Sequence, residues 1–386
     1  MKKVKASGIY NCWKLGKRLI RDSQYSDSKT MLISAGLAEY YLSKGNHFKV
    51  REIANFLINR NLLLGHYYTA LSYFLFADYG KAEHEVLSIP DYHQIAEVVF
   101  LYTEILIRIN RCNEAWCLLE SLVKFTTRKK SWLLMSNLVE NGKDCERFLR
   151  NIAEVECQTS LLDNDDLITA KINAYMRCGQ TIEALEIVKS PTWKGVKGIK
   201  LVKNIDTKQA NVALQDLKTI LDQKGVEFFL ISGTLLGCIR ENNFLGHDKD
   251  IDVGVWDTYT YEQLIQKIAT SGNFYIIKSR TRDVIKLRHL NGTNVDVFIT
   301  YREFDDYWHA GVKQKWHNKP FELVEHYFLG ASYLIPADFD LYLTENYGDW
   351  QTPMKNFDSA YDTPNSVILN KDEFKLYEYT TLNSNL

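Results

Sequence analysis

The sequence predicts a two-domain α+β protein, with an all-α domain over residues 1–190, a linker over 191–206 and an α/β domain over 207–386. Three observations carry this expectation. From about residue 30 to 190, apolar positions recur at spacings of three and four, as in successive amphipathic helices. Beyond residue 207 they gather into short runs bounded by turn residues, with helix-length stretches between. Within that second half, Asn291-Gly292 separates two alternating segments, a strong hairpin signal.

The chain's 386 residues are enough for two hydrophobic cores, and 46% hydrophobic with 25% charged residues is ordinary for a globular protein. A net charge of -1 argues against a general nucleic-acid coat or a protein of strongly anionic membranes. The seven cysteines are odd in number and show no C-x-x-C spacing, so reduced thiols in a cytosol are expected. Met1-Lys2-Lys3-Val4-Lys5 is basic, but Asn11, Lys14, Lys17 and Arg18 break any signal-peptide core, and no stretch reaches the apolar length of a membrane span. The expected location is therefore cytoplasmic, or peripheral at the inner membrane face.

Abundant aromatic residues and only six prolines suit packed helices. Three segments look alike: Tyr79-Gly80-Lys81-Ala82 before Val86-Leu87, Arg111 to Ala115 before Leu118-Leu119, and Cys178 to Ala184 before Ile187-Val188. Ala82 and Ala115 are 33 residues apart, Ala115 and Ala184 are 69 apart, and Asn141-Gly142-Lys143 supplies a turn in the longer gap. This spacing resembles tetratricopeptide repeats and predicts a degenerate helical solenoid, against the plainer alternative of an irregular helical domain. Lys194, Lys197, Lys200 and Lys203 then recur every third residue, as a solvated linker or an electropositive rim for a phosphorylated substrate.

In the second half, Asp206 or Thr207 can cap a helix bearing Ala213, Leu217, Ile220 and Leu221, which Gly225 ends. Strands are expected over 226–231, 251–256 and 274–277, a helix through Tyr261 to Ile268, and a hairpin from 283–289 and 294–300. The last hundred residues read as more helical.

The chemistry sits in two places. Ser232-Gly233-Thr234 forms a small-residue turn straight after a strand, where backbone N–H groups can hold phosphate oxygens, especially at a helix N-terminus. Downstream, Asp250 and Asp252 alternate on a strand, point the same way and can chelate Mg²⁺ together. Asp296 is a lone charge in an apolar strand just past the hairpin, which a metal would explain. A surface acidic run, or an aspartate bridging backbone groups, is the alternative.

Ser232 to Gly237, Arg240, Asp248-x-Asp250-x-Asp252, Asp296-Val297-Phe298 and Leu341 to Pro353 together resemble the LicD/fukutin-type transferases. The resemblance covers roughly residues 207–355 and implies a nucleotidyltransferase-like fold of the polymerase beta type. His247 stands where that family commonly has Trp, and Leu245-Gly246 replaces an Ile-Pro pair. By motif match, Asp250, Asp252 and Asp296 would ligate Mg²⁺ or Mn²⁺, Asp248 would be metal-proximal or the general base, and Gly233 and Thr234 would contact donor phosphate. The implied reaction transfers a phospho-alcohol from a CDP-linked donor, such as CDP-choline or CDP-ribitol, to a polysaccharide or lipid-linked glycan, as in bacterial capsule or lipopolysaccharide synthesis.

Other residues near these motifs have two readings each. Arg240 would steady its loop through a carboxylate or grip the donor diphosphate. Lys286 and Arg288 would reach phosphate or protect a sheet edge. His247 is expected to orient substrate or to serve structurally, Tyr347, Asp349 and Trp350 to wall the pocket or only to pack the last helix, and Cys238 to be a small buried residue. The rival functions are nucleotidyl transfer from an NTP and a non-catalytic scaffold whose repeats bind a protein partner.

Overall fold

The computed structural model describes residues 29–124, 126, 128–156, 164–190, 205–354 and 357–382. The chain divides into two compact units, Met1–Lys197 and Gly198–Leu386. The four lysines between 194 and 203 lie outside the described residues.

The first unit is all-helical among its described residues apart from turns, with ten α-helices: α1 (Lys29–Leu42), α2 (His47–Ile58), α3 (Leu64–Leu75), α4 (Tyr79–Leu87), α5 (Ala96–Arg108), α6 (Cys112–Val123), α7 (Lys129–Asn137), α8 (Gly142–Glu156), α9 (Asn164–Arg177) and α10 (Thr181–Lys189). Helix α4 packs on α3, α6 on α5 and α10 on α9. Ala82, Ala115 and Ala184 are each fully buried, so the recurring small residue marks where a second helix lies close to its partner. Side-chain caps start three of these helices, Asn46 on α2, Asp78 on α4 and Asn141 on α8.

The second unit opens with α11 (Thr207–Gln223), whose first turn is capped by the Asp206 carboxylate accepting from the N–H groups of Lys208 and Gln209. Gly225, at φ +65°, supplies the left-handed residue that ends it. There follow β1 (Phe228–Leu230), α12 (Ser232–Glu241), β2 (Asp250–Trp256), α13 (Tyr261–Ala269), β3 (Phe274–Ile277), β4 (Val284–His289), β5 (Asn294–Arg302), β6 (Tyr307–Ala310), β7 (Gln314–Asn318), β8 (Leu323–Phe328), β9 (Ala331–Pro336), α14 (Phe339–Tyr347), β10 (Ser366–Ile368) and α15 (Lys371–Leu382).

The strands form one mixed sheet in the order β10-β7-β6-β5-β2-β1-β9-β8, with β3 and β4 branching from β5. The parallel β2–β5 pair lies at its centre, and β4 joins β5 through the expected Asn291-Gly292 turn. Ile251, Val253 and Val255 face one way from β2 into a core shared with α11, α12 and α13, which leaves Asp250 and Asp252 on the opposite face. Gly254 lies against the Phe229 ring, where a Cβ would come within 2.5 Å of Cε2, so glycine here lets β1 and β2 pack.

The last hundred residues differ from the helical expectation, since five of the ten strands fall between 307 and 368. Their signal was hidden because β6 and β7 alternate aromatic with polar residues, as in Tyr307-Trp308-His309 and Lys315-Trp316-His317, rather than aliphatic with polar. Nor is β4 a sheet edge, because it is hydrogen-bonded to β3 on one side and β5 on the other.

Candidate active site

The β2–β5 and β4–β5 registers place Asp252, Asp296 and Lys286 in one row across three adjacent strands. Asp250 is two residues from Asp252 on the same face. One carboxylate oxygen from each of Asp250, Asp252 and Asp296 lies within 4.8 Å of the others, close enough for all three to share an ion. The row lies in the wall of a cavity of about 730 Å³, within the range of small-molecule sites.

Helix α12 presents its N-terminus to the same cavity through Ser232 and Gly233. Ile231 before it offers no side-chain cap, and the Ser232 N–H faces the Tyr342 hydroxyl, which leaves the Gly233 N–H for a ligand. Asp248 rests directly over this turn. A Cβ on residue 233 would meet Asp248 Oδ2 at 2.5 Å, so glycine is required for that carboxylate's position. Asp248 Oδ1 accepts from the Lys249 N–H at 3.1 Å, while the buried Oδ2 has no hydrogen-bond partner.

Burial and neighbouring charge raise three of these carboxylates. Burial pushes Asp248 up to about 6. Burial first, then the charges of Asp296 and Asp248, lift Asp250 to about 6. Asp252 rises well above the carboxylate range, by burial and then by Asp250, Asp248 and Asp296. Lys286 relieves part of this charge, with Nζ 2.5 Å from Asp296 Oδ2. Converging hard oxygen donors at this cost suit a divalent cation such as Mg²⁺ or Mn²⁺.

The other expected site residues divide. Arg240, His247, Lys286, Tyr347, Asp349 and Trp350 all line the cavity. Arg240, on α12, is anchored by Nη1 donating to the Trp350 carbonyl at 3.0 Å and Nε to Glu241 at 3.1 Å. Thr234 is not positioned for phosphate. It is fully buried, and its Oγ1 accepts from the Asp252 N–H at 2.8 Å, bracing α12 against β2. Arg288 is exposed and outside the cavity lining, one row nearer the hairpin than Lys286. Cys238 is buried, which pushes its thiol up to about 12.

Sequence reasoning missed the far wall, built from Phe298, His309, Lys313, Trp316 and, on α15, Glu373 and Tyr377. Arg280 joins Glu373 by a two-pronged ion pair, holding α15 against the loop before β4. The available signal was the Lys313-to-His317 run, a basic and aromatic pattern unlike a solvated helix face.

Residues 225–360 match the nucleotidyltransferase domain described as LicD/FKTN/FKRP. The human ribitol-5-phosphate transferase FKTN is 30% identical over 168 residues, covering 41% of this chain and 36% of the human protein. Its mouse counterpart is 28% identical over the same length, with the same coverage. An uncharacterized protein of Rickettsia typhi is 25% identical over 144 residues, covering 36% of this chain and 45% of that protein. The chain thus matches little more than a third of the length of the FKTN relatives. None of its described helices is long and apolar enough to cross a membrane. With the acidic row, the helix N-terminus and the family match all falling in one stretch, residues 225–360 carry a LicD/FKTN/FKRP nucleotidyltransferase domain.

Proposed function

We propose that the chain is a phosphotransferase that moves a phospho-alcohol (phosphocholine, ribitol phosphate or glycerol phosphate) from a CDP-linked donor to a hydroxyl of a cell-surface glycan, releasing CMP. The observation that carries this reading is the convergence of Asp250, Asp252 and Asp296 within 4.8 Å, in a cavity that also receives an uncapped helix N-terminus. The FKTN relatives, which are ribitol-5-phosphate transferases, support it.

Asp250, Asp252 and Asp296 would hold Mg²⁺ or Mn²⁺, which when bound offsets the negative charge of the reacting phosphates. The Gly233 N–H and the Arg240 guanidinium bind phosphate oxygens of the donor. The acceptor oxygen forms a bond to the donor's β-phosphorus as the bond from that phosphorus to CMP breaks. The acceptor's proton passes to Asp248, whose free Oδ2 and raised pKa suit a base working near neutral pH. CMP leaves with the bonding electron pair. We place this reaction in the cytoplasm or at the inner face of the membrane, with the helical unit as a tetratricopeptide-like dock for a protein partner or a long acceptor chain.

A panel of CDP-choline, CDP-ribitol and CDP-glycerol, run with ATP and CTP and with Mg²⁺ or Mn²⁺, tests the reading. Metal-dependent CMP release from one CDP-alcohol is expected. Pyrophosphate release from a triphosphate would replace the reading with nucleotidyl transfer. If no nucleotide binds, catalysis is refuted and the scaffold reading takes its place.

A further inference from the structure

We propose that Lys313 anchors a second anion subsite in this cavity, one that takes a phosphate-ester group apart from the acidic row. Lys313 lies between β6 and β7, where its carbonyl accepts from the Leu369 N–H at 2.8 Å and the Asn370 N–H at 3.2 Å, so its backbone is held. Its ammonium sits 3.3 Å from the centre of the Tyr377 ring. That ring is fixed in turn, since its hydroxyl donates to Asp358 Oδ2 at 2.7 Å.

The two carboxylates in this region are already engaged. Asp358 also accepts from the Ala360 N–H at 2.9 Å, and both Glu373 oxygens are taken by Arg280. Among the described residues neither forms an ion pair with Lys313, and its ammonium has no hydrogen-bond acceptor. Burial draws this lysine below its ordinary value, against the opposing charges of Asp358 and Glu373, with Lys286 adding to the effect. The ammonium is thus partly desolvated, touches one ring face and faces a ligand-sized space, with its two nearest carboxylates hydrogen-bonded to other groups.

The surrounding surface favours an ester over bare phosphate. Trp316 lines the cavity, stacked on His309 with ring centres 5.2 Å apart, and Phe298 packs edge-on against both. An organic group attached to the phosphate can rest on this apolar surface. Glu373 and Tyr377 lie beyond residue 360, where the family match ends, so the subsite is built partly from elements outside the matched domain.

The phosphate ester could belong to the donor or to a phosphorylated acceptor. Naming its source rests on the proposed function, whereas binding of the anion does not. The full chain, kept metal-free with a chelator, is titrated with inorganic phosphate and glycerol phosphate by calorimetry. Wild type should bind glycerol phosphate more tightly than inorganic phosphate. Lys313→Met should weaken both by about tenfold, while Lys313→Arg binds as wild type does. Failure of wild type to bind either probe, or equal binding by a folded Lys313→Met, overturns the proposal. In turnover assays, a raised KM of Lys313→Met for the CDP-alcohol identifies the donor, and a raised KM for the acceptor identifies the acceptor. If wild type turns over no CDP-alcohol, the proposed function fails, while the calorimetry still decides the role of Lys313.

Discussion

Lys286 Nζ lies 2.5 Å from Asp296 Oδ2, and the strand registers put this pair in one row with Asp252. The lysine therefore occupies an oxygen that the carboxylate row would offer to an ion. Lys286→Met should bind Mn²⁺ several-fold more tightly than wild type without nucleotide, since competition and repulsion are both removed. Its KM for the donor should rise as a phosphate contact is lost. Mn²⁺ affinity equal to or weaker than wild type, read by electron paramagnetic resonance, would show that the lysine does not compete.

Gly233 is predicted to be irreplaceable for rate rather than for stability. In Gly233→Ala the new methyl displaces Asp248 from above the helix turn. The expected result is a fall in kcat of about tenfold or more, with little change in Tm. Wild-type kinetics in this variant would remove Asp248 from the chemistry.

Thr234→Val keeps the shape of the side chain and deletes the acceptor for the Asp252 N–H. Leaving that buried group unpaired should cost about 1–3 kcal/mol in denaturant unfolding, with Thr234→Ser close to wild type. Equal stability of all three proteins would show that the brace is not needed.

These residues also show how far the sequence could be read. The shared face of Asp250 and Asp252 was legible because period-2 alternation on a strand fixes it without any tertiary information. Asp296 was legible because an isolated charge in an apolar strand asks for a partner. The hydrogen bond from the Asp252 N–H to Thr234 was not legible, because the motif position does not reveal which way a helix start turns its hydroxyl. Lys313 and Tyr377 could not be paired, since the turn between β6 and β7 meets α15 only through tertiary packing and α15 lies in a tail with weak periodicity. The helical unit was visible through its buried alanines, which recur wherever a second helix packs close to a first.

The pH dependence follows from Asp248 and Asp250, both lifted from 3.8 to about 6 by burial. The folded chain binds more protons than the unfolded chain between about pH 4 and 6. Its metal-free stability is therefore highest at the acid end of that window and falls as pH rises through about 6. A divalent ion reverses the loss by compensating the deprotonated cluster. The gain in Tm on adding Mg²⁺ should be larger at about pH 7.5 than at about pH 5, measured by calorimetry against a chelated control. A gain independent of pH would mean that the ion binds elsewhere.

The central claim is that Asp250, Asp252 and Asp296 form the metal centre, and Mn²⁺ titration followed by electron paramagnetic resonance tests it most directly. Wild type should show a tight site that is lost in Asp252→Asn and again in Asp296→Asn, with both variants melting as cooperatively as wild type. Retention of that tight site in either folded variant would contradict the claim.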